Sequence, residues 1–220
     1  MIKHENIKLI KGSGPVLLSA PHAAPIRKTV QERSYVRMAE KRADELVKTL
    51  CEKNGAWGIF TASEEGPLDG WQESIYGKYK KTVKNLIQNE GINLVIDIHG
   101  AKKTRPFYID YDFMIPNKHP HDQYVEKLLC NTFASHFPAE ELSNGFYRKI
   151  KGSGKKTLTY YVRKYFGIPA IQLEINKTIK ESEQKFDKLI HVLYSFITEY
   201  ENTFTGVQPK EEVLHSKEAR

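Results

Sequence analysis

Three short runs in this chain of 220 residues are apolar almost without interruption: PVLLSA at 15–20, NLVIDI at 93–98 and AIQLEI at 170–175. A strand with one face in water alternates apolar and polar residues, whereas a strand that does not alternate is covered on both faces. Such strands need helices above and below them, and the intervening sequence supplies the pattern. Tyr35, Met38, Ala39, Ala43, Leu46, Val47 and Leu50 recur at helical spacing and predict a helix over 34–50. Tyr79, Val83, Leu86 and Ile87 do the same over 75–89, with Gly91 as the stop. Further helices are predicted over 123–137, in a short stretch ending at Phe166, and over 182–200. WGIFTA at 57–62 predicts another strand, and PFYIDYDFM at 106–114 alternates as an edge strand or hairpin arm does. Strands that alternate with helices predict an α/β chain with a largely parallel sheet between helical layers.

The length suits one core of moderate size, placed here in residues 1–203, with a polar tail over 204–220. Hydrophobic residues make up 40% and charged residues 28%, as in ordinary globular proteins. No apolar stretch is long enough to span a bilayer, and MIKHENIKLI lacks the apolar region of a secretory signal. Cys51 and Cys130 lie far apart, in no CxxC pair. The expectation is a cytoplasmic protein with reduced thiols and no membrane partner. The net charge of +7 raises the question of nucleic acid, but the lysines are spread along helix faces and turns. A solvated basic surface, or attraction of a small anionic ligand, accounts for the charge as well. The stretch GSGKKT at 152–157 invites a phosphate-loop reading, which fails because Lys149 and Lys156 occupy the positions that need glycine and Ser or Thr.

In open α/β sheets, ligands gather beyond the carboxyl ends of the strands. His22 follows VLLSAP, His99 follows NLVIDI, and Glu174 lies within AIQLEI. Two imidazoles and a carboxylate suit zinc, which takes nitrogen and oxygen ligands and in enzymes keeps one position for water. Singly, each histidine reads better as a loop residue hydrogen-bonded to backbone; the pair at equivalent strand ends, each beside a small residue (Ala23, Gly100), favours the metal. Glu32, the first carboxylate after His22, begins the helix expected over 34–50 and reads either as a third ligand or as a residue placed on the helix dipole. Glu40, Asp44 and Glu45 are expected to face solvent from that helix. Asp97 shares a strand face with His99 and is expected to orient a ligand. Glu174 reads as a general base beside a metal-bound water or as half of a buried salt bridge.

SAPHAA, VIDIHGA and AIQLEIN, in this order and separation, resemble the N-formylglutamate amidohydrolase family of zinc-dependent hydrolases. The resemblance covers about residues 15 to 200. It implies a single-domain, three-layer α/β/α fold with a mixed, largely parallel sheet, of the zinc-carboxypeptidase or phosphorylase/hydrolase-like kind. It also implies one zinc ion held by His22, Glu32 and His99, with Glu174 assisting the attack of water. The implied substrate is small, an N-acyl amino acid or short peptide cleaved at an amide bond. Where family members carry a longer acidic and aromatic segment and an Asp-Leu-Asn-Arg stretch, this chain has TASEEGPLDGWQES at 61–74. Two alternatives stay open: a zinc carboxypeptidase-like peptidase acting on short peptides or cell-wall fragments, and a non-enzymatic polyanion-binding protein with structural histidines. A substrate carboxylate would need a cation, for which Arg148, Lys155, Lys156 and Arg105 are the candidates.

Overall fold

The computed structural model describes residues 6–30, 33–63, 77–113, 120–146 and 157–204, with the side chains of 26–30 and 33–35 left aside. Its main sheet has seven strands in the order β1-β5-β2-β6-β9-β7-β8. These are β1 (Ile7–Ile10), β2 (Val16–Ala20), β5 (Trp57–Thr61), β6 (Leu94–Ala101), β7 (Ile109–Asp112), β8 (Leu142–Asn144) and β9 (Ala170–Asn176). β5, β2, β6 and β9 run parallel, β1 is antiparallel to β5, β7 is antiparallel to β9, and β8 is parallel to β7. The expected α/β fold with a mixed, largely parallel sheet is therefore present. No helix among the described residues is long and apolar enough to cross a membrane.

The helices are α1 (Ala43–Asn54), α2 (Lys78–Asn89), α3 (Pro120–Ala134), α4 (Leu158–Phe166), α5 (Lys177–Lys180) and α6 (Glu183–Phe204). Alternation along the strands sorts them onto two faces. Val16, Leu18, Ala20, Leu94, Ile96, Ile98, Ile171, Leu173 and Ile175 share one apolar core with α1, α3 and α6. Leu17, Val95 and Ala170 point the other way and pack with Tyr79, Val83 and Leu86 of α2 and Leu158, Tyr161 and Val162 of α4. The second face changes character toward the carboxyl ends, where Ser19, Asp97, His99, Gln172 and Glu174 replace apolar residues at the same period. Their burial is what a continuous apolar run with polar insertions implies, and it demands partners for each of them.

The stretch expected to open the first helix is built differently. Residues 33–37 form β4 (Arg33–Arg37), which pairs antiparallel with β3 (Ile26–Val30) in a separate two-stranded ribbon. Helix α1 starts only at Ala43, after Arg42 takes a left-handed φ of 59°. The helical spacing of Tyr35, Met38 and Ala39 does not make a helix here, and the described Val36 and Met38 side chains are 41% and 74% exposed instead of facing the core. β7 also differs from expectation, because it lies between β9 and β8 instead of at an edge or in a hairpin.

Candidate metal centre

His22 leaves the end of β2 in a tight turn, with Ala23 N donating to Ala20 O at 3.3 Å. Thr61, the last residue of β5, fixes that turn: its hydroxyl donates to Pro21 O at 3.3 Å and accepts from Ala24 N at 2.9 Å. The backbone of Glu40 is tied to the same point, with Glu40 N donating to His22 O at 2.9 Å. His99 arrives independently on β6, the central neighbour of β2. Three side chains from two loops and a strand thus converge, and all are buried.

Within the cluster, His22 Nδ1 lies 3.1 Å from His99 Nδ1 and 3.2 Å from Glu40 Oε1. His99 Nδ1 lies 3.7 Å from Glu40 Oε2, which also accepts from Gly100 N at 2.8 Å. One ligand atom from each residue falls within 4.8 Å of the others. Two imidazole nitrogens and a carboxylate are a donor set that zinc favours. The surroundings fit the same purpose. His99 Nε2 lies 3.0 Å from Asp97 Oδ2, so a proton on Nε2 donates to the carboxylate and leaves the Nδ1 lone pair toward the cluster. Ser19 donates to the other Asp97 oxygen at 2.8 Å, and the Ser19 hydroxyl is 3.0 Å from that of Tyr79. Asp97 is thus hydrogen-bonded to both His99 and Ser19.

The electrostatics are strongly coupled. Burial pushes the Glu40 carboxyl up, but hydrogen bonds from His22 and His99, with their charge, outweigh it and hold it well below the usual range. Burial pushes His99 down, but the charge and hydrogen bond of Asp97 and the contact with Glu40 hold it well above an ordinary imidazole. A cation is what such a pair of buried carboxylates attracts.

Glu174 sits opposite His99 in the β6–β9 register, and Asp110 of β7 is its partner on the far side. Gln172 Nε2 donates to Glu174 Oε1 at 2.9 Å, fixing the carboxylate on the face that carries His99. Arg37, at the end of β4, donates from Nη2 to Glu40 Oε1 at 2.5 Å, and its Nη1 is 3.0 Å from His22 Nε2. Lys180, the last residue of α5, is 2% exposed, and its Nζ has no hydrogen-bond partner among the described residues. Burial lowers its pKa against the opposing charges of Glu40 and Glu174.

Of the residues singled out in the sequence, His22, Asp97, His99 and Glu174 meet at the carboxyl ends of β2, β6 and β9. Glu40, expected to face solvent, is buried against both histidines, because it precedes α1 in an extended segment bonded to the His22 backbone. Asp44 and Glu45 do lie partly exposed on α1. Glu32, Arg148, Lys155 and Lys156 lie outside the described residues, as does most of 61–74. Arg105 is half-buried with its guanidinium 5.5 Å from the Phe146 ring, and its carbonyl accepts from Asn176 at 3.4 Å. Arg37 and Lys180 had no signal in the sequence beyond their charge.

No family profile and no curated protein matches the sequence. Solved structures do match the fold. The gene product Atu2144 from Agrobacterium tumefaciens superposes with a TM-score of 0.60 at 12% identity, covering 91% of this chain and 96% of that one. A metallo-carboxypeptidase from Burkholderia cenocepacia gives 0.52 at 16% identity, covering 86% of this chain and 57% of the other. N-acetylmuramoyl-L-alanine amidase from Clostridium difficile 630 gives 0.50 at 12% identity, covering 87% and 99%. The chain shares its α/β architecture with these proteins.

Proposed function

We propose that this chain is a metal-dependent hydrolase of an amide bond in a small, carboxylate-bearing substrate, with one zinc ion held by His22, Glu40 and His99. The observation that carries the reading is the convergence of those three groups beside Glu174, with His99 held by Asp97, Asp97 by Ser19, Glu40 by Gly100 and Glu174 by Gln172. A zinc ion there would supply Lewis acidity toward water and the amide carbonyl. Glu174 takes the proton of the attacking water and hands it to the departing amine, which converts a poor leaving group into a neutral one. Gln172 holds the Glu174 carboxylate in place for both transfers. Asp97 keeps His99 in the tautomer that presents Nδ1. The fold shared with a metallo-carboxypeptidase and an amidase supports the reading without fixing a substrate. The order of SAPHAA, VIDIHGA and AIQLEIN favours an N-formylglutamate amidohydrolase-like activity, so N-formyl and N-acetyl amino acids are the first substrates to try.

Metal analysis and a substrate screen test the proposal together. Purified protein should take up one equivalent of zinc, and His22→Ala or His99→Ala should lose metal and turnover together. Glu174→Gln should keep the zinc and lose turnover by about a hundredfold or more. A protein that never binds zinc stoichiometrically, even on reconstitution, would sink the reading. Loss of zinc in Glu174→Gln would instead move that residue among the ligands.

A further inference from the structure

Tyr79 of α2 and Ser19 of β2 are fully buried, and their hydroxyls lie 3.0 Å apart where the second sheet face turns from apolar to polar. Tyr79 packs there with Leu17, Ile59, Val83 and Val95, a setting that a phenyl ring would fill as well. A hydroxyl buried among apolar groups costs stability unless it is hydrogen-bonded, so its presence calls for a task. Three contacts are possible for the two hydroxyls. Ser19 Oγ donates to Asp97 Oδ1 at 2.8 Å, the hydroxyls face each other, and Tyr79 Oη is 3.0 Å from Ile59 O. Two hydroxyls carry two hydrogens, and an ionised carboxylate carries none. Asp97 accepts that of Ser19, so the contact between the hydroxyls is a hydrogen bond only when Tyr79 donates. Its hydrogen then has two acceptors at the same distance, Ser19 Oγ and Ile59 O. A hydroxyl that already donates to an anion is the more polarised acceptor, and hydrogen bonds in such a series strengthen one another.

We propose that Tyr79 is a positioning residue of the metal centre: its hydroxyl donates to Ser19, Ser19 donates to Asp97 Oδ1, and Asp97 Oδ2 holds the His99 ring. This rests on the zinc-dependent reading above. Ser19 and Asp97 are register partners on β2 and β6, so the sheet itself fixes the link between them. Tyr79 comes from outside the sheet, and through it a packed helix takes part in orienting a metal ligand. Asp97 is held at both oxygens, which sets the plane of its carboxylate against His99. Tyr79 and Ser19 are wholly buried and Asp97 is 1% exposed, so bulk water does not replace a missing link. Without the Tyr79 hydroxyl, Ser19 still reaches Asp97, but as a weaker donor whose rotation is less restrained.

The test is a double-mutant cycle on zinc affinity, measured by chelator competition, with Tyr79→Phe, Ser19→Ala and the two combined. Urea unfolding of each metal-free protein runs alongside. Ser19→Ala should weaken zinc binding about tenfold, and Tyr79→Phe about three- to fivefold. The combined variant should match Ser19→Ala within about twofold, because Tyr79 acts only through Ser19. A Tyr79→Phe protein that loses unfolding stability yet binds zinc as wild type does would make the hydroxyl a structural group and overturn the proposal. Losses that multiply in the combined variant would overturn it too, since they would be independent effects. In the metal-free proteins, the His99 ring resonances should shift in Tyr79→Phe and shift further in Ser19→Ala. Wild type that binds no zinc would fail the metal reading alone. The His99 resonances still decide the inference in that case, and their staying unmoved in Tyr79→Phe would overturn it.

Discussion

A methyl group at residue 100 would meet two charged side chains at once. A Cβ built on Gly100 falls 2.8 Å from Lys180 Nζ and 3.2 Å from both Cβ and Cγ of Glu40. The backbone there is ordinary strand, so the requirement for glycine is one of space. Lys180 is enclosed, and Glu40 cannot retreat without pulling Oε2 from Gly100 N. Gly100→Ala should therefore fold but lose about ten- to a hundredfold in zinc affinity, measured by chelator competition. Unchanged affinity would mean that Glu40 holds no metal. His22, Asp97, His99 and Glu174 were legible because strand ends in an α/β sheet are ligand positions by topology. Glu40 was not, since its place depends on a ribbon that turns the chain back on His22. In sequence it is one carboxylate among several.

At the scale of elements, the apolar strands β2, β6 and β9 and the bodies of the helices were readable because burial on both sheet faces leaves periodic residues little freedom. The ribbon was not: Val36, one of its described side chains, is 41% exposed, and a residue that is not buried is free of the periodicity that reveals buried elements. β1 escaped for a similar reason, as a four-residue edge strand with Leu9 40% exposed. Two helices on opposite sides of the sheet are joined at its rim by charge. Arg163 of α4 donates from Nη1 and Nη2 to the two oxygens of Asp122 on α3, both at 3.2 Å, with side-chain exposures of 2% and 7%. Burial lowers the Arg163 pKa, and Asp122 opposes it. Removing one partner strands the other charge away from water. Asp122→Ala should cost about 3–5 kcal/mol in urea unfolding. The double change Asp122→Leu with Arg163→Met should recover most of that, because the pair is worth less than the penalty of breaking it. Equal destabilisation by single and double variants would show that the loss comes from packing.

The whole molecule divides labour between the two faces of its sheet, with an unbroken apolar core under one and the charged cluster at the end of the other. The charges make its stability depend on pH and on metal in opposite directions. Glu40 is held well below its usual 4.5, so its contribution is complete above that pH and is lost as pH falls toward the folded value. His99 is held well above its usual 6.5, so its contribution is complete below that pH and is lost as pH rises through the folded value. Both are present in full between these limits, and the metal-free protein should melt highest there. Zinc reverses the trend on the alkaline side. It needs the Nδ1 lone pair of His99, so protons compete with it until pH exceeds the folded value of that imidazole. The rise in melting temperature caused by excess zinc should therefore grow as pH increases above the usual imidazole value, while the metal-free protein loses stability over the same range. Asp97→Asn removes the charge that holds the His99 proton, so in that variant the zinc effect should set in at lower pH, although the maximum affinity falls. A zinc effect equally large across the whole range would mean that ligation displaces no proton from His99, and that this residue does not bind the metal.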